Sequence, residues 1–327
     1  MRRREFMALL CGAAGILPLA VHAQQSADVP IIGLLQIGGP TSWNLAPFRQ
    51  GLKDAGYVEG QNLTIEYRFA NDDPSRLPEL ATDLIQRKVR AIASVGSGFP
   101  VRAAKNATNT IPIVFGFGVD PVKEDLVASL NRPGGNVTGI ISLANELYGK
   151  QLGVLHELLP QASHFGILAR PRGFLYETIV KEAHAVASAL GQTVEILDAM
   201  TTADIDAVFA RIGGEKRVQG ILVTNDPFYI AQRVQLAILA ARYAIPAIYP
   251  FREMAEAGGL LSYGPNIAER DRATGVYVGR VLKGENPAEL PVQQMSKFEL
   301  VINLKTAKAL NLNVPNSMQL LADEVIE

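Results

Sequence analysis

The chain is poor in cysteine, tryptophan and histidine, and it has no excess of either charge. Of 327 residues, one is cysteine, one tryptophan and four histidine. The lone Cys11 lies in an N-terminal segment that reads as a leader. The rest of the chain therefore has no thiol, which excludes disulfides, thiolate nucleophiles and Cys-ligated metals together. The histidines (His22, His156, His164 and His184) show neither HExxH nor another metal-ligand spacing. His156 and His184 fall on predicted helices and His164 just before a strand, so no Ser-His-Asp set suggests itself. Lys and Arg total 31 against 32 Asp and Glu, for a formal net charge of −1. No basic stripe exists to track a phosphate backbone, which argues against nucleic acid. Past the leader, no apolar run approaches the ~20 residues that span a bilayer as a helix. Gly96-Ser97-Gly98 matches neither the GxxxxGK[ST] nor the GxSxG spacing. Together these absences predict no catalytic residue, no metal and no cofactor: a binder rather than an enzyme.

What is present begins with an export signal. Arg2, Arg3 and Arg4 form a basic start, and Arg3-Arg4-Glu5-Phe6-Met7 resembles a twin-arginine motif. An apolar stretch from Ala8 to Val21 follows, and Val21-His22-Ala23 offers the small residues that a signal peptidase reads. Cleavage is expected after Ala23, with delivery to the periplasm. Leu9-Leu10 before Cys11 fit a lipidation site poorly.

The remainder states nearly the same pattern twice. One pass of alternating strands and helices runs from IIGLLQ (Ile31–Gln36) to NTIPIVFG (Asn109–Gly116). A second runs from FGILAR (Phe165–Arg170) to YAIPAIYP (Tyr243–Pro250). Gly33 and Gly166 stand about 133 positions apart, and Ile111 and Ile245 about 134. Short β-branched runs alternating with helices such as LPELATDLIQRK predict βαβ units. The expected fold is α/β, with two similar doubly wound parallel-sheet lobes joined by a three-segment hinge. Lobe 1 is expected at residues 30–140 plus about 264–288. Lobe 2 is expected at about 141–263 plus about 289–327.

Ligands of such sheets sit beyond the carboxyl ends of the strands. The loops there supply the candidate residues Gln36, Trp43, Ser97, Gly98, Phe117 and Asp120 in the first copy. The second copy supplies Arg170, Asn225, Asp226, Tyr249, Phe251 and Tyr263. The Gly96–Gly98 turn before a helix is a seat for a carboxylate, or simply a capped helix start. Asp226, followed by Pro227 and the aromatics Phe228 and Tyr229, either faces a ligand ammonium or caps its helix. Asp120-Pro121 has the same ambiguity. Arg170 could fork onto a carboxylate, and the aromatics could enclose an apolar or ring-bearing ligand. Asp72-Asp73 reads as a solvated polar turn.

Five stretches together carry a family resemblance: FRQGLKDAGYVEGQNLTIEYRFA, IPIVFGFGVDPV, LVASLNRPGGNVTG, IPAIYPFREMAEAGGLLSYGPN and KFELVINLKTAKALNL. From about Ile31 to Glu327 the chain resembles the periplasmic substrate-binding proteins of ABC transporters, among them the tryptophan- and aromatic-amino-acid-type binders. The resemblance implies a type I periplasmic-binding fold and a monomer without enzymatic activity. It also implies delivery of a small organic solute to an inner-membrane permease with a cytoplasmic ATPase. The first expectation for the solute is an amino acid or related carboxylate, aromatic or not. Relatives often carry Gly-Thr-Pro where this chain has Ser97-Gly98-Phe99, and Asn where it has Arg170, so the ligand is not copied from a relative. The alternative role is a periplasmic sensor presenting the same clamp to a membrane receptor.

Overall fold

A computed structural model describes residues 29–41, 44–142, 147–173, 176–189 and 191–327. The leader lies outside the described residues.

The first pass of the chain runs β1 (Ile31–Gln36), α1 (Ala46–Asp54), β2 (Thr64–Phe69), α2 (Leu77–Gln86) and β3 (Ala91–Val95). It continues through α3 (Gly98–Ala107), β4 (Ile113–Phe117) and β5 (Val137–Ile141). The second pass runs α4 (Tyr148–Leu158), β6 (His164–Ala169), α5 (Tyr176–Ala189), β7 (Thr193–Asp198) and α6 (Thr202–Glu215). After it come β8 (Gly220–Val223), α7 (Pro227–Ala231), α8 (Arg233–Arg242), β9 (Ala247–Tyr249), α9 (Arg252–Glu256) and β10 (Leu261–Pro265). The chain closes with α10 (Ile267–Leu282), β11 (Gln293–Gln294), β12 (Phe298–Asn303), α11 (Leu304–Ala309), α12 (Asn316–Leu321) and β13 (Glu324–Ile326).

The strands form two sheets, ordered β11-β5-β4-β3-β1-β2 and β13-β12-β10-β9-β8-β6-β7. All pairings are parallel except β10 with β12. Each sheet is buried on both faces, which requires strands apolar throughout rather than alternating. In β1, Ile32 and Leu34 pack into one core cluster and Leu35 into another. β6 divides Leu168 from Phe165 and Ile167 in the same way. The fold is the two-lobed type I arrangement, with a core on each side of each sheet.

The repeat extends to the register of pairing. Gly33 of β1 lies between Glu66 and Ile92, and Gly166 of β6 between Glu195 and Ile221. Either glycine leaves room for a leucine: a Cβ at Gly33 would strike Leu84, and one at Gly166 would strike Leu197.

The chain passes between the sheets three times, between Ile141 and Tyr148, at Asn266, and between Gln294 and Phe298. Two of the expected lobe boundaries shift. β10 stays in the second sheet through Pro265, paired with Phe298. Gln293–Gln294 pair with Ile140–Ile141 of the first sheet, although about 289 onward was expected in lobe 2. Backbone bonds hold that segment, Val292 N–H donating to the Leu130 carbonyl and Met295 N–H to that of Ile141, both at 2.7 Å.

α10 returns to the first lobe and packs on α1 and on β3, β4 and β5. The two helices meet backbone to backbone. A Cβ on Gly51 would land on the Arg272 carbonyl, and one on Gly275 on the Phe48 carbonyl. Neither position has space for alanine without separating the helices.

Two local expectations also differ. Where the sequence between β8 and β9 offers an apolar run long enough for one helix, the chain breaks at Gln232, whose φ of −92° and ψ of 17° end α7 before α8 begins. The loop expected after Tyr249 folds into the five-residue α9.

Candidate ligand-binding site

The carboxyl edges of the two sheets face each other across a cleft of about 290 Å³. The first lobe contributes Ile37 after β1, Asp72–Pro74 after β2, Gly96–Phe99 after β3 and Phe117–Val119 after β4. The second contributes Arg170–Gly173 after β6, Tyr176 and Ile179 of α5, Met200 after β7 and Thr224–Pro227 after β8.

On the first wall, Gly96 has φ 94°, a left-handed turn that glycine adopts without penalty. Its N–H donates to the Gly116 carbonyl at 2.7 Å, which fixes where the turn ends. Ser97 then caps the ten-residue α3, its Oγ accepting from the Phe99 N–H at a long 3.4 Å. The helix start carries no acidic residue in its first turn. Its partial positive charge therefore meets the cleft uncancelled, as a seat for an anion.

The facing wall starts a helix in a similar way, with a carboxylate as its cap. Asp226 caps α7, its Oδ1 accepting from the Phe228 N–H at 2.9 Å, with Pro227 at the first helical position. Burial pushes its carboxyl above the usual aspartate range, opposed first by the Arg170 guanidinium and then by the Phe228 N–H. Removal from water dominates and favours the neutral, protonated form of the group.

The loop bearing Asp226 is held from two sides. The buried Tyr148 phenol, itself pushed upward by burial, is hydrogen-bonded to the Asn225 backbone. Tyr229 donates its hydroxyl to the Ala199 carbonyl at 2.9 Å, tying α7 to the loop after β7. Tyr176 donates to Asp198 at 2.7 Å, and that bond with some burial pushes its phenol up to about 12.

Arg170 stands between the lobes. Its Nη1 lies 3.6 Å from Asp226 in its own lobe and 3.6 Å from Asp72 in the other. The guanidinium also lies 4.8 Å from the centre of the Phe228 ring, a cation–π distance.

Of the residues expected from sequence to bind ligand, the cleft brings together Ser97, Gly98, Phe117, Arg170, Asn225 and Asp226. The others lie elsewhere. Gln36 lines a smaller adjoining cavity. Asp120 uses its Oδ1 to accept from the Val122 and Lys123 N–H groups and caps a turn outside the cleft. Tyr249 and Phe251 are buried in the core of the second lobe. Tyr263 packs 6.2 Å from Phe298, and its carbonyl accepts from Gln151 at 2.7 Å. Trp43 lies outside the described residues. Sequence reading also missed part of the lining. Asp72 was expected to be solvated, yet Asn71 (φ 54°) and Asp72 (φ 64°) form a left-handed bend that carries it to the cleft. The available signal was its position just past the carboxyl end of β2.

No group of His, Cys, Asp or Glu among the described residues is arranged to hold a metal. No helix among them is long and apolar enough to cross a membrane.

Comparison with known proteins finds relatives over most of the chain. The chain is 26% identical over 280 residues to a tyrosine-binding protein of Clostridioides difficile, covering 85% of this chain and 80% of that one. An ABC domain from Streptococcus pneumonia, solved in complex with L-Trp, is 26% identical with a TM-score of 0.78, covering 91% of this chain and 99% of that one. A conserved domain protein from Vibrio cholerae is 25% identical with a TM-score of 0.80 at the same coverage. The profile of the family described as ABC transporter substrate binding protein matches residues 42–326. The chain belongs to that family, the solute-binding proteins of ABC transporters.

Proposed function

We propose that this protein, exported after cleavage at Ala23, binds an α-amino acid with an apolar, aromatic-sized side chain. It would hold the ligand between closed lobes and present it to an ABC permease. The carrying observation is the pair of opposed helix starts, an uncancelled one at Ser97 and a carboxylate-capped one at Asp226. A zwitterion would set its carboxylate on the N–H groups after Ser97 and its ammonium on Asp226. Phe99, Phe117, Val119, Ile179 and Met200 supply apolar wall for the side chain. Relatives that bind tyrosine or carry bound L-Trp support this class.

Lobe closure follows from the same residues. Arg170 of one lobe faces Asp72 of the other, so the closed form has a charge contact that opening would remove. A ligand touching both walls binds the closed form better and shifts the balance toward it. The reading includes no chemical step.

A thermal-shift screen of the protein amino acids tests the proposal. A true ligand at 100 times its dissociation constant stabilises by about 2.7 kcal/mol. A screen in which no amino acid moves the transition, while another class of solute does, would sink it.

A further inference from the structure

Beside the main cleft lies a second, smaller cavity that shares Ile37 and Pro227 with it. Its volume is about 10 Å³, close to the room a single water-sized group needs. The wall is apolar, with Leu45, Phe69 and Val95 from the first lobe and Pro227 from the second. The exception is Gln36. It is 5% exposed, and its buried Nε2 has no hydrogen-bond partner among the described residues.

A glutamine is the wrong residue for this place on packing grounds. Gln36 ends β1, two and four residues past Leu34 and Ile32, so it projects on the face they bury. Its backbone is fixed in the sheet opposite Phe69, and its carbonyl accepts from the Ala70 N–H at 2.9 Å. A leucine or methionine there would continue the core. The amide instead leaves a donor out of water and unpaired, which weakens the fold until something accepts from it.

We propose that Gln36 is a specificity-determining residue that donates to the far end of the ligand's side chain. The ligand class is then an α-amino acid whose apolar side chain ends in one hydrogen-bond acceptor of about the size of a phenol oxygen. This rests on the amino-acid reading above. The charged end lies at Ser97 and Asp226, the apolar body passes Ile37 and Pro227, and the terminal atom enters the small cavity. A side chain without that atom leaves the amide unpaired, and discrimination comes from that unpaired state rather than from added attraction.

The test is calorimetric titration of the wild-type protein and Gln36→Met with L-tyrosine and L-phenylalanine. The wild type is expected to prefer tyrosine by about ten- to a hundred-fold, the range of one buried hydrogen bond made or lost. In Gln36→Met the ratio should fall to near one, with phenylalanine binding kept or improved and thermal stability no lower. If both ligands bind and the wild-type ratio is near one, the amide is satisfied by a resident water and the proposal is overturned. A ratio that survives Gln36→Met also overturns it. In both cases the amino-acid reading stands. If neither ligand binds the wild type, both readings fail together. Gln36→Leu serves if methionine does not pack, and the wild-type ratio decides alone if neither variant folds.

Discussion

The turn from β3 into α3 and the turn from β8 into α7 are the same device in two copies of one pattern. Each follows the strand that pairs with its lobe's first strand on the side toward the sheet interior, and each starts a helix with a side-chain cap two residues before the N–H it accepts from. They differ in one group. Ser97 caps with a neutral hydroxyl and leaves the helix end positive, whereas Asp226 caps with a carboxylate and reverses the local sign. The two walls differ in their caps, and the proposed seating of a zwitterion rests on that difference.

Making the two caps alike should have the largest effect. Ser97→Asp retains a good cap, so the fold should hold, but it puts a carboxylate where the ligand's own carboxylate is seated. Affinity for the amino-acid ligand should fall by more than about 100-fold, since like charges brought together cost several kcal/mol. Titration calorimetry reads this, and an unchanged affinity would place the carboxylate elsewhere.

Neutralising the other cap comes next. Asp226→Asn keeps an acceptor for the Phe228 N–H while removing the charge, and affinity should fall about 30-fold, a loss of roughly 2 kcal/mol for a hydrogen bond to a charged group. Thermal stability should stay the same or rise, because a carboxyl already disfavoured by burial is removed.

The same asymmetry predicts a pH effect of known sign. Burial raises the Asp226 carboxyl, so it takes a proton at higher pH than an exposed aspartate would. Ammonium binding needs the ionised form. Affinity should decline, by up to about tenfold per unit, as pH falls below that raised value. Asp226→Asn should flatten the profile, and a wild-type profile that is already flat would break the charge assignment.

The smallest effect concerns the contact between walls. Asp72→Asn removes one of the two carboxylates at 3.6 Å from Arg170, and affinity should weaken by about two- to fivefold, within the 0–1 kcal/mol of a partly exposed pair. Small-angle scattering should show a more open ligand-free ensemble. An unchanged ensemble would mean that Arg170 serves Asp226 alone.

Much of this arrangement was readable in the sequence, for reasons that also explain what was not. Strand runs such as IIGLLQ and AIASV kept their places because burial on two faces leaves little freedom in composition. Ser97, Arg170 and Asp226 were found because the carboxyl edge of a parallel sheet selects loops by chain order alone. Tyr249 and Phe251 failed that rule. Tyr249 ends β9 and Phe251 follows it, but α9 turns the chain at once and both rings fold inward to the core. Position along the chain locates an edge, whereas the face a side chain takes depends on the next element. Asp72 failed in the other direction, because its reach into the cleft comes from two left-handed residues that resemble any polar turn. The five-residue α9 is shorter than two turns, too short for apolar periodicity to register.

The glycine contact between α1 and α10 has a consequence for how the molecule is made. Gly51 leaves the ribosome more than two hundred residues before Gly275. The first lobe therefore waits, with the surface over β3, β4 and β5 uncovered, while the whole second βα series is synthesised. The N-terminal half of the gene does not encode a unit that can be cut out and expressed alone. A fragment ending at Ile141 would lack the helix that closes its core and should aggregate, whereas one lobe joined through residues 267–294 should not. Assembly order here runs against chain order: the part that begins first is completed by nearly the last.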